Sequence, residues 1–509
     1  MANILMFVSD NNSGRLSLPH MKGDSAIENG GWKAFTWQNK HYLWIALLAG
    51  ITHFIILRWL YPVPSYFADS FTYVGAAANN QPISFRPIFY SKLIQFFRLL
   101  STSELALIAG QYGSWWLANL FLFFTSCYFF LLKGWKKYLL FALLILHPFW
   151  VFSSNYISSD TFFNSLTVAW FTLLIWVMHK PKWYIISLHL WLLLMIFMLR
   201  YNAVYFPIFT AVAILFATLS TWKKLAYILV AVAFVFSFIE YTSRQTEKLV
   251  GTKIFTGFSG WQYANNALHV VRNKKIDPST IENQKVRELL VFNQSFFNTY
   301  KDSITTKASA WYMWHPQSPL KLYLRQHNAK AGFFRTWNEL APLYGKFGKT
   351  IILQNPVAYI QHFVVPNLGE YVLPRLELYD TYFEDVDTVA AVATKYFNYK
   401  SNKVSKHRPA LYTAVFGHSN WLFLVLNVMG VGLGCWYYFS KQYRKYPKLI
   451  NRFLLCFALF FLANFFFIVL LAPSVLRYHV PIIALAIPIV LFLITTFTNR
   501  KNEAAGSVV

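Results

Sequence analysis

Long apolar runs separated by short polar stretches dominate the pattern of this chain. "YLWIALLAGITHFIILRWLYP" and "LLCFALFFLANFFFIVLLA" each approach the roughly 20 apolar residues that a helix needs to cross a hydrocarbon core. A helix satisfies its own backbone hydrogen bonds in lipid, so such runs predict an all-α polytopic membrane protein. Hydropathy places about ten transmembrane helices, near 43–61, 104–132, 138–153, 160–178, 183–199, 203–220, 225–240, 417–439, 451–472 and 479–498. The third is short.

Charge then orients the pattern. The connections "KGWKK" (133–137), "HKPKW" (179–183), "TWKK" (221–224) and "KQYRKYPK" (441–448), with the tail "NRKN", are basic, whereas "SSNYISSD" and "APSVLRYH" carry little positive charge. Positive charge in short loops marks the cytoplasmic side, so both termini are expected inside. Only 13% of residues are charged and 56% are hydrophobic, which excludes a soluble enzyme. The net charge of +26 needs no nucleic acid, because anionic lipid headgroups account for it. Residues 1–42 read as a cytoplasmic tail with Asp10, Asp24 and Glu28, without the pattern of a cleavable signal peptide; Met21 is an alternative start,. Residues 499–509 form a second cytoplasmic tail. Cys127, Cys435 and Cys456 fall inside predicted spans as packing residues, so no disulfide framework is expected,.

Two segments interrupt the spans on the outer side. The first, 62–103, belongs to an N-terminal transmembrane module (43–240) and holds "SYFADSFTY" and "SFRPIFYSKLIQFFRLL". The latter has apolar residues at helical spacing and Arg86, Lys92 and Arg98 on another face, which suits a helix at the membrane surface. The second, 241–416, is too long for a connector and reads as a mostly helical extracytoplasmic domain before the C-terminal transmembrane helices (417–498),. Internal repeats, Gly-rich phosphate loops and zinc spacings are missing.

This orientation gathers four ionisable groups near one surface: Asp69, Asp160, Arg200 and Arg477. Such groups at membrane depth are costly and read as functional. Each has a plainer reading. Asp69 is a turn former or pocket acid, and Asp160 is an N-cap for "TFFNSL". The arginines either snorkel to headgroups or present a planar fork to phosphate oxygens. Arg86, before Pro87, joins the phosphate candidates, with Lys92 weaker. Glu104 is expected to form a capping box with Ser101, Glu240 to be interfacial, and His147 to mark a kink or helix end. Most Trp and Tyr belong to interface belts, while Trp261 and Trp337 stand in the outer domain as conceivable acceptor contacts.

"DSFTY", "FRPIFY", "HPFWVFSSNYISSD", "LRYNAVYFP" and "LRYHVPIIALAIP", in this order and sidedness, resemble the GT-C superfamily of integral-membrane glycosyltransferases. The nearest group is the bacterial one related to protein O-mannosyltransferases and lipid A aminoarabinose transferases. The resemblance spans 43–240 and 417–498. It implies a donor sugar on a polyprenyl phosphate and a glycan, lipid or protein acceptor, with transfer on the outer face of a bacterial inner membrane. It casts Asp69 as catalytic base, Arg86, Arg200, Arg477, Tyr73 and Tyr478 as substrate and phosphate groups, and Asp160 as a second acid. Many relatives carry a second acid directly after the first, where this chain has Ser70; a divalent cation (Mg or Mn) therefore stays an open question. Phosphate departs with little protonation, so one base suffices for an inverting attack on the anomeric carbon. A lipid-linked polysaccharide polymerase or ligase, and a transporter or flippase of a lipid-linked substrate, remain alternatives.

Overall fold

The computed structural model describes residues 25–300, 310–327, 332–376, 382, 386–404 and 409–506. It is 79% helical, with no strands among the described residues. Seven helices are long and apolar enough to cross a membrane: Lys40–Leu60, Trp135–Ser153, Asp160–His179, Thr221–Val250, Ser419–Phe439, Lys448–Leu471 and Val480–Arg500. Three further predicted spans differ in kind. Trp183–Leu199 and Tyr201–Phe216 are apolar but shorter, and Leu105–Phe130 runs for 26 uncharged residues diluted by Gln, Asn, Ser and Gly.

Asp160–His179 is the central helix, with 89% of its apolar window buried. It packs against Leu105–Phe130, Trp183–Leu199, Phe206–Phe216, Lys448–Leu471 and Val480–Gly506. Large aromatics fill these contacts: Trp170 stacks on Phe206 at 4.8 Å, and Trp176 lies edge-on to Phe129 at 4.9 Å. Offset and edge-to-face pairs of this kind add to simple area burial. The predicted third span bends through a π-turn at Ala142–Leu146. It breaks at His147, whose backbone is extended before the short helix Phe149–Ser153, as Pro148 demands of the residue before it.

Several expectations change. Within the N-terminal tail, Ser25–Gln38 is helical and Trp32 is buried edge-on against Trp176 at 4.8 Å. Asp10, Asp24 and Met21 lie outside the described residues, as does the side chain of Glu28. The seventh span runs on to Val250, where Gly251 in the left-handed region stops it and returns its N–H to Glu247 O at 2.8 Å,. Glu104 forms no capping box; it accepts from Arg58 at 2.6 Å, while Ser101 Oγ pairs with Ser103 Oγ at 3.0 Å. Lys92 donates to Asn80 Oδ1 at 2.9 Å. Cys127 and Cys456 are buried as expected, but Cys435 is exposed.

The segment 241–416 builds a second apolar core around the helices Phe258–Asn273 and Phe333–Gln354. Glycine permits their close crossing. A methyl group on Gly260 would sit 2.0 Å from Ala341 O, and one on Gly348 would sit 2.3 Å from Tyr263 C. At this crossing Trp261 and Trp337 stack 3.9 Å apart, nearly parallel, and both are fully buried. Their sequence role as acceptor contacts is thereby corrected: they are core.

Candidate functional site

Backbone pairing brings the segment 62–103 onto the loop preceding the central helix. Ser65 N donates to Asn155 O at 2.8 Å, and Ile157 N donates to Ser65 O at 3.0 Å. Gln111, buried in its helix, donates to Ser154 O and Tyr156 O at 2.8 and 2.9 Å and accepts from the Tyr90 hydroxyl at 2.6 Å. These bonds satisfy buried polar groups that would otherwise be orphaned,. They also fix two rings: Phe67 stacks on Tyr156 at 4.4 Å.

Asp160 stands at the start of the central helix, buried. It is not the N-cap. Ser159 precedes it in helical conformation with no capping bond, and the Ser158 hydroxyl donates to Asp160 Oδ2 at 2.5 Å. Two guanidiniums reach this carboxylate from separate elements. Arg200, at the end of Trp183–Leu199, ion-pairs with Oδ1; Arg477, in the turn before the last span, lies 3.4 Å from Oδ2. The two arginines share the Tyr478 ring, their Cζ atoms 4.7 and 5.1 Å from its centroid. Arg477 also lies over Phe67 at 4.5 Å. Asp160 and Arg477 open onto a cleft lined mainly by apolar and aromatic groups, among them Trp115, Phe149 and Tyr156.

Asp69 lies in the first turn of Ala68–Ala78 and pairs with Arg86 Nη2 at 2.6 Å. The two clusters connect through Tyr73, one turn along the same helix, whose hydroxyl bonds Ser159 Oγ at 3.1 Å. Asp69, Arg86 and Arg200 are not among the residues lining the cleft. The sequence candidates thus form two ion-paired groups, Asp69 with Arg86 and Asp160 with Arg200 and Arg477, bridged by Tyr73 and Ser159.

Sequence reasoning missed what lies on the far side of Arg86. Its guanidinium sits 4.8 Å from the Trp314 ring, and Lys321 Nζ approaches the same ring at 5.6 Å. Lys321 is also ringed by Trp261, Trp337 and Phe333 at 4.6, 4.4 and 4.7 Å. Burial, with Arg86 nearby, pushes its ammonium down to about 7; the ring faces act the other way, favouring the charged form. No spacing in "SPLKLYLRQH" marks this lysine, because its neighbours come from other helices. Phe67 and Ser158 escaped notice for the same reason.

The donor set does not suit a divalent cation. Among the described residues no three His, Cys, Asp or Glu side chains cluster to hold one. Both candidate acids already face guanidinium groups, whose charge repels a second cation.

Comparison of the chain with protein-family models, curated proteins and solved structures gives no match.

Proposed function

We propose that this chain is a glycosyltransferase of the GT-C kind, moving a sugar from a polyprenyl phosphate to an acceptor hydroxyl. The observation that carries the reading is Asp160 shared by Arg200 and Arg477 beside a cleft, linked through Ser159 and Tyr73 to the helix of Asp69. Two planar guanidiniums held near one carboxylate are preorganised for phosphate oxygens, and preplacement lowers the cost of stabilising a leaving phosphate. The apolar and aromatic lining suits the lipid part of such a donor.

In this reading an acceptor oxygen attacks the anomeric carbon while the bond from that carbon to the phosphate oxygen breaks. The phosphate leaves with the electron pair, and Asp69 takes the hydroxyl proton. Arg86 orients the Asp69 carboxylate, and Arg200 and Arg477 hold the phosphate as Asp160 cedes part of their hydrogen bonding. Tyr478 keeps the two guanidiniums in register through its ring face.

The same reading counts ten crossings: the seven long apolar helices, with Leu105–Phe130, Trp183–Leu199 and Tyr201–Phe216. Alternation then leaves both termini with the basic loops inside and Asp69, Asp160, Arg200 and Arg477 outside. A bacterial inner membrane is the setting that goes with it.

A second assignment exchanges the acids, making Asp160 the base, because Asp160 and not Asp69 lines the cleft. Purified protein in liposomes with a labelled polyprenyl-phosphate sugar and a hydroxyl acceptor tests both. Loss of transfer with retained donor binding in Asp69→Asn supports the first assignment. Retained transfer in Asp69→Asn, with loss in Asp160→Asn, supports the second. Movement of the donor across the bilayer without covalent transfer points to a flippase, and chain extension of a lipid-linked glycan points to a polymerase.

A further inference from the structure

Residues 350–369, assigned from sequence to an aqueous domain, contain no Asp, Glu, Lys or Arg. They lead from the end of Phe333–Gln354 into Pro356–Tyr359, a π-turn at Ile360–Val364, and Val365–Val372. Large apolar residues lie on both the inward and the outward face of this stretch. Phe363, Asn367 and Tyr371 face the protein, and Asn367 is 1% exposed. Leu353, Val357, Ile360, Val365, Leu368 and Val372 face outward, Val357 at 75%.

The outward residues follow one another at steps of four, three, five, three and four, as their numbers give. A regular helix would lose the stripe at the step of five. The π-turn at Ile360–Val364 absorbs the extra residue, so from Val357 to Val372 the stripe continues on one face, with Leu353 just before the helix break at Asn355. A local irregularity that preserves an exposed apolar face has no use in water, where such a face is a liability.

The inward face shows where the stripe sits. Asn367 Nδ2 donates to Ile468 O at 2.7 Å, Val469 O at 3.1 Å and Ala472 O at 2.8 Å. Asn266 Nδ2 reaches Leu471 O at 3.2 Å, and the Tyr359 hydroxyl donates to Leu470 O. These carbonyls belong to the last turn of the span Lys448–Leu471 and to its C-cap Ala472, where orphan acceptors need partners at the edge of a hydrocarbon layer. The same span exposes Leu462, Phe466 and Leu470, the lipid-facing surface of a membrane helix. The stripe of 353–372 therefore adjoins that surface at its Ala472 end.

We infer that residues 353–372 form a membrane-docking element, its apolar stripe buried among lipid acyl chains at the Ala472 end of the bundle. Continuity with the span's own lipid-facing side chains and the lack of charge over 350–369 favour acyl chains over a protein partner; Glu370, the one acid in the element, is paired with Arg375. The element anchors the outer unit, because Phe333–Gln354 leads directly into it and carries six of the 23 buried residues of that unit's core.

Site-directed bimane quenching in proteoliposomes tests this. In a Cys435→Ser background, which leaves only the buried Cys127 and Cys456, single cysteines replace Val357, Ile360 and Leu368. Phe466→Cys serves as the lipid-facing control and Glu288→Cys as the aqueous one. The expected result is quenching by doxyl-labelled phosphatidylcholine at all three positions as strong as at Phe466→Cys, with iodide quenching at least threefold weaker than at Glu288→Cys. Iodide quenching equal to Glu288→Cys without a doxyl effect places the stripe in water and overturns the inference. Protection from both quenchers indicates a protein cover, such as a second copy, and overturns it equally.

Discussion

Removing the charge of Asp160 provides the sharpest test of the ion-paired site. Asp160→Asn keeps the shape of the side chain but leaves Arg200 and Arg477 converging without their shared anion. At the 3.4 Å separation of Arg477 Nη1 and Asp160 Oδ2, the gross attraction is about 5 kcal/mol at an effective dielectric of about 20. Desolvation opposes much of that in the intact protein, yet removing one partner of a buried pair costs roughly 3–5 kcal/mol, because a charge is left uncompensated. The side chains retain 12–21% exposure, so water relieves part of the loss, and a cost of about 2–3 kcal/mol is expected. The clean measurement is a double-mutant cycle of Asp160→Asn and Arg200→Met on detergent-solubilised protein, read by thermal or denaturant unfolding. Residues in direct ionic contact couple by about 0.5–3 kcal/mol. A coupling above about 1 kcal/mol is expected; additivity of the two single variants would refute the shared-anion geometry.

Three other outcomes follow from named contacts. Asp69→Asn is expected to lower transfer by about 10²–10⁴-fold, the usual contribution of a positioned base, with donor affinity changed little; steady-state transfer and binding assays separate the two. Gly348→Ala drives a methyl group into the Tyr263 backbone, where no rotamer change gives relief, and is expected to destabilise the outer unit by about 3 kcal/mol; loss of the Trp261–Trp337 stack reports it by near-ultraviolet circular dichroism. Lys321 has a folded value of about 7 against 10.5 when free. Between these values the unfolded chain holds a proton that the folded chain lacks, so stability rises with pH across that window and the full penalty applies below it. Lys321→Met should flatten the rise in melting temperature between pH 7 and pH 9.5; an unchanged slope would remove Lys321 as its source.

Much of the fold was legible because span length and loop charge are written locally. The positions of the seven long spans follow from runs such as that ending in Leu60, and His147–Pro148 marks its own helix break. The candidate acids were legible by exception, being scarce in an apolar chain. Their partners were not. Asp160 reads as an N-cap when only its neighbours in sequence are considered, and the arginines that claim it lie 40 and 317 residues further on. Glu104 failed as a capping box for the same reason: Arg58 on the preceding span outcompetes a local backbone donor. Burial of Trp261 and Trp337 depends on glycines in two distant helices meeting, which no period in either helix records. The stripe at 353–372 stayed hidden because the π-turn breaks the 3.6-residue period that would have revealed it.

The central claim is that Arg200 and Arg477 hold the phosphate of a lipid-linked donor. Native mass spectrometry of detergent-solubilised protein incubated with a polyprenyl phosphate tests it most directly, with parent, Arg200→Met and Arg477→Met compared at equal lipid concentration. One retained polyprenyl phosphate per chain in the parent, falling at least tenfold in both variants, is the result expected. Equal retention by all three proteins would contradict it.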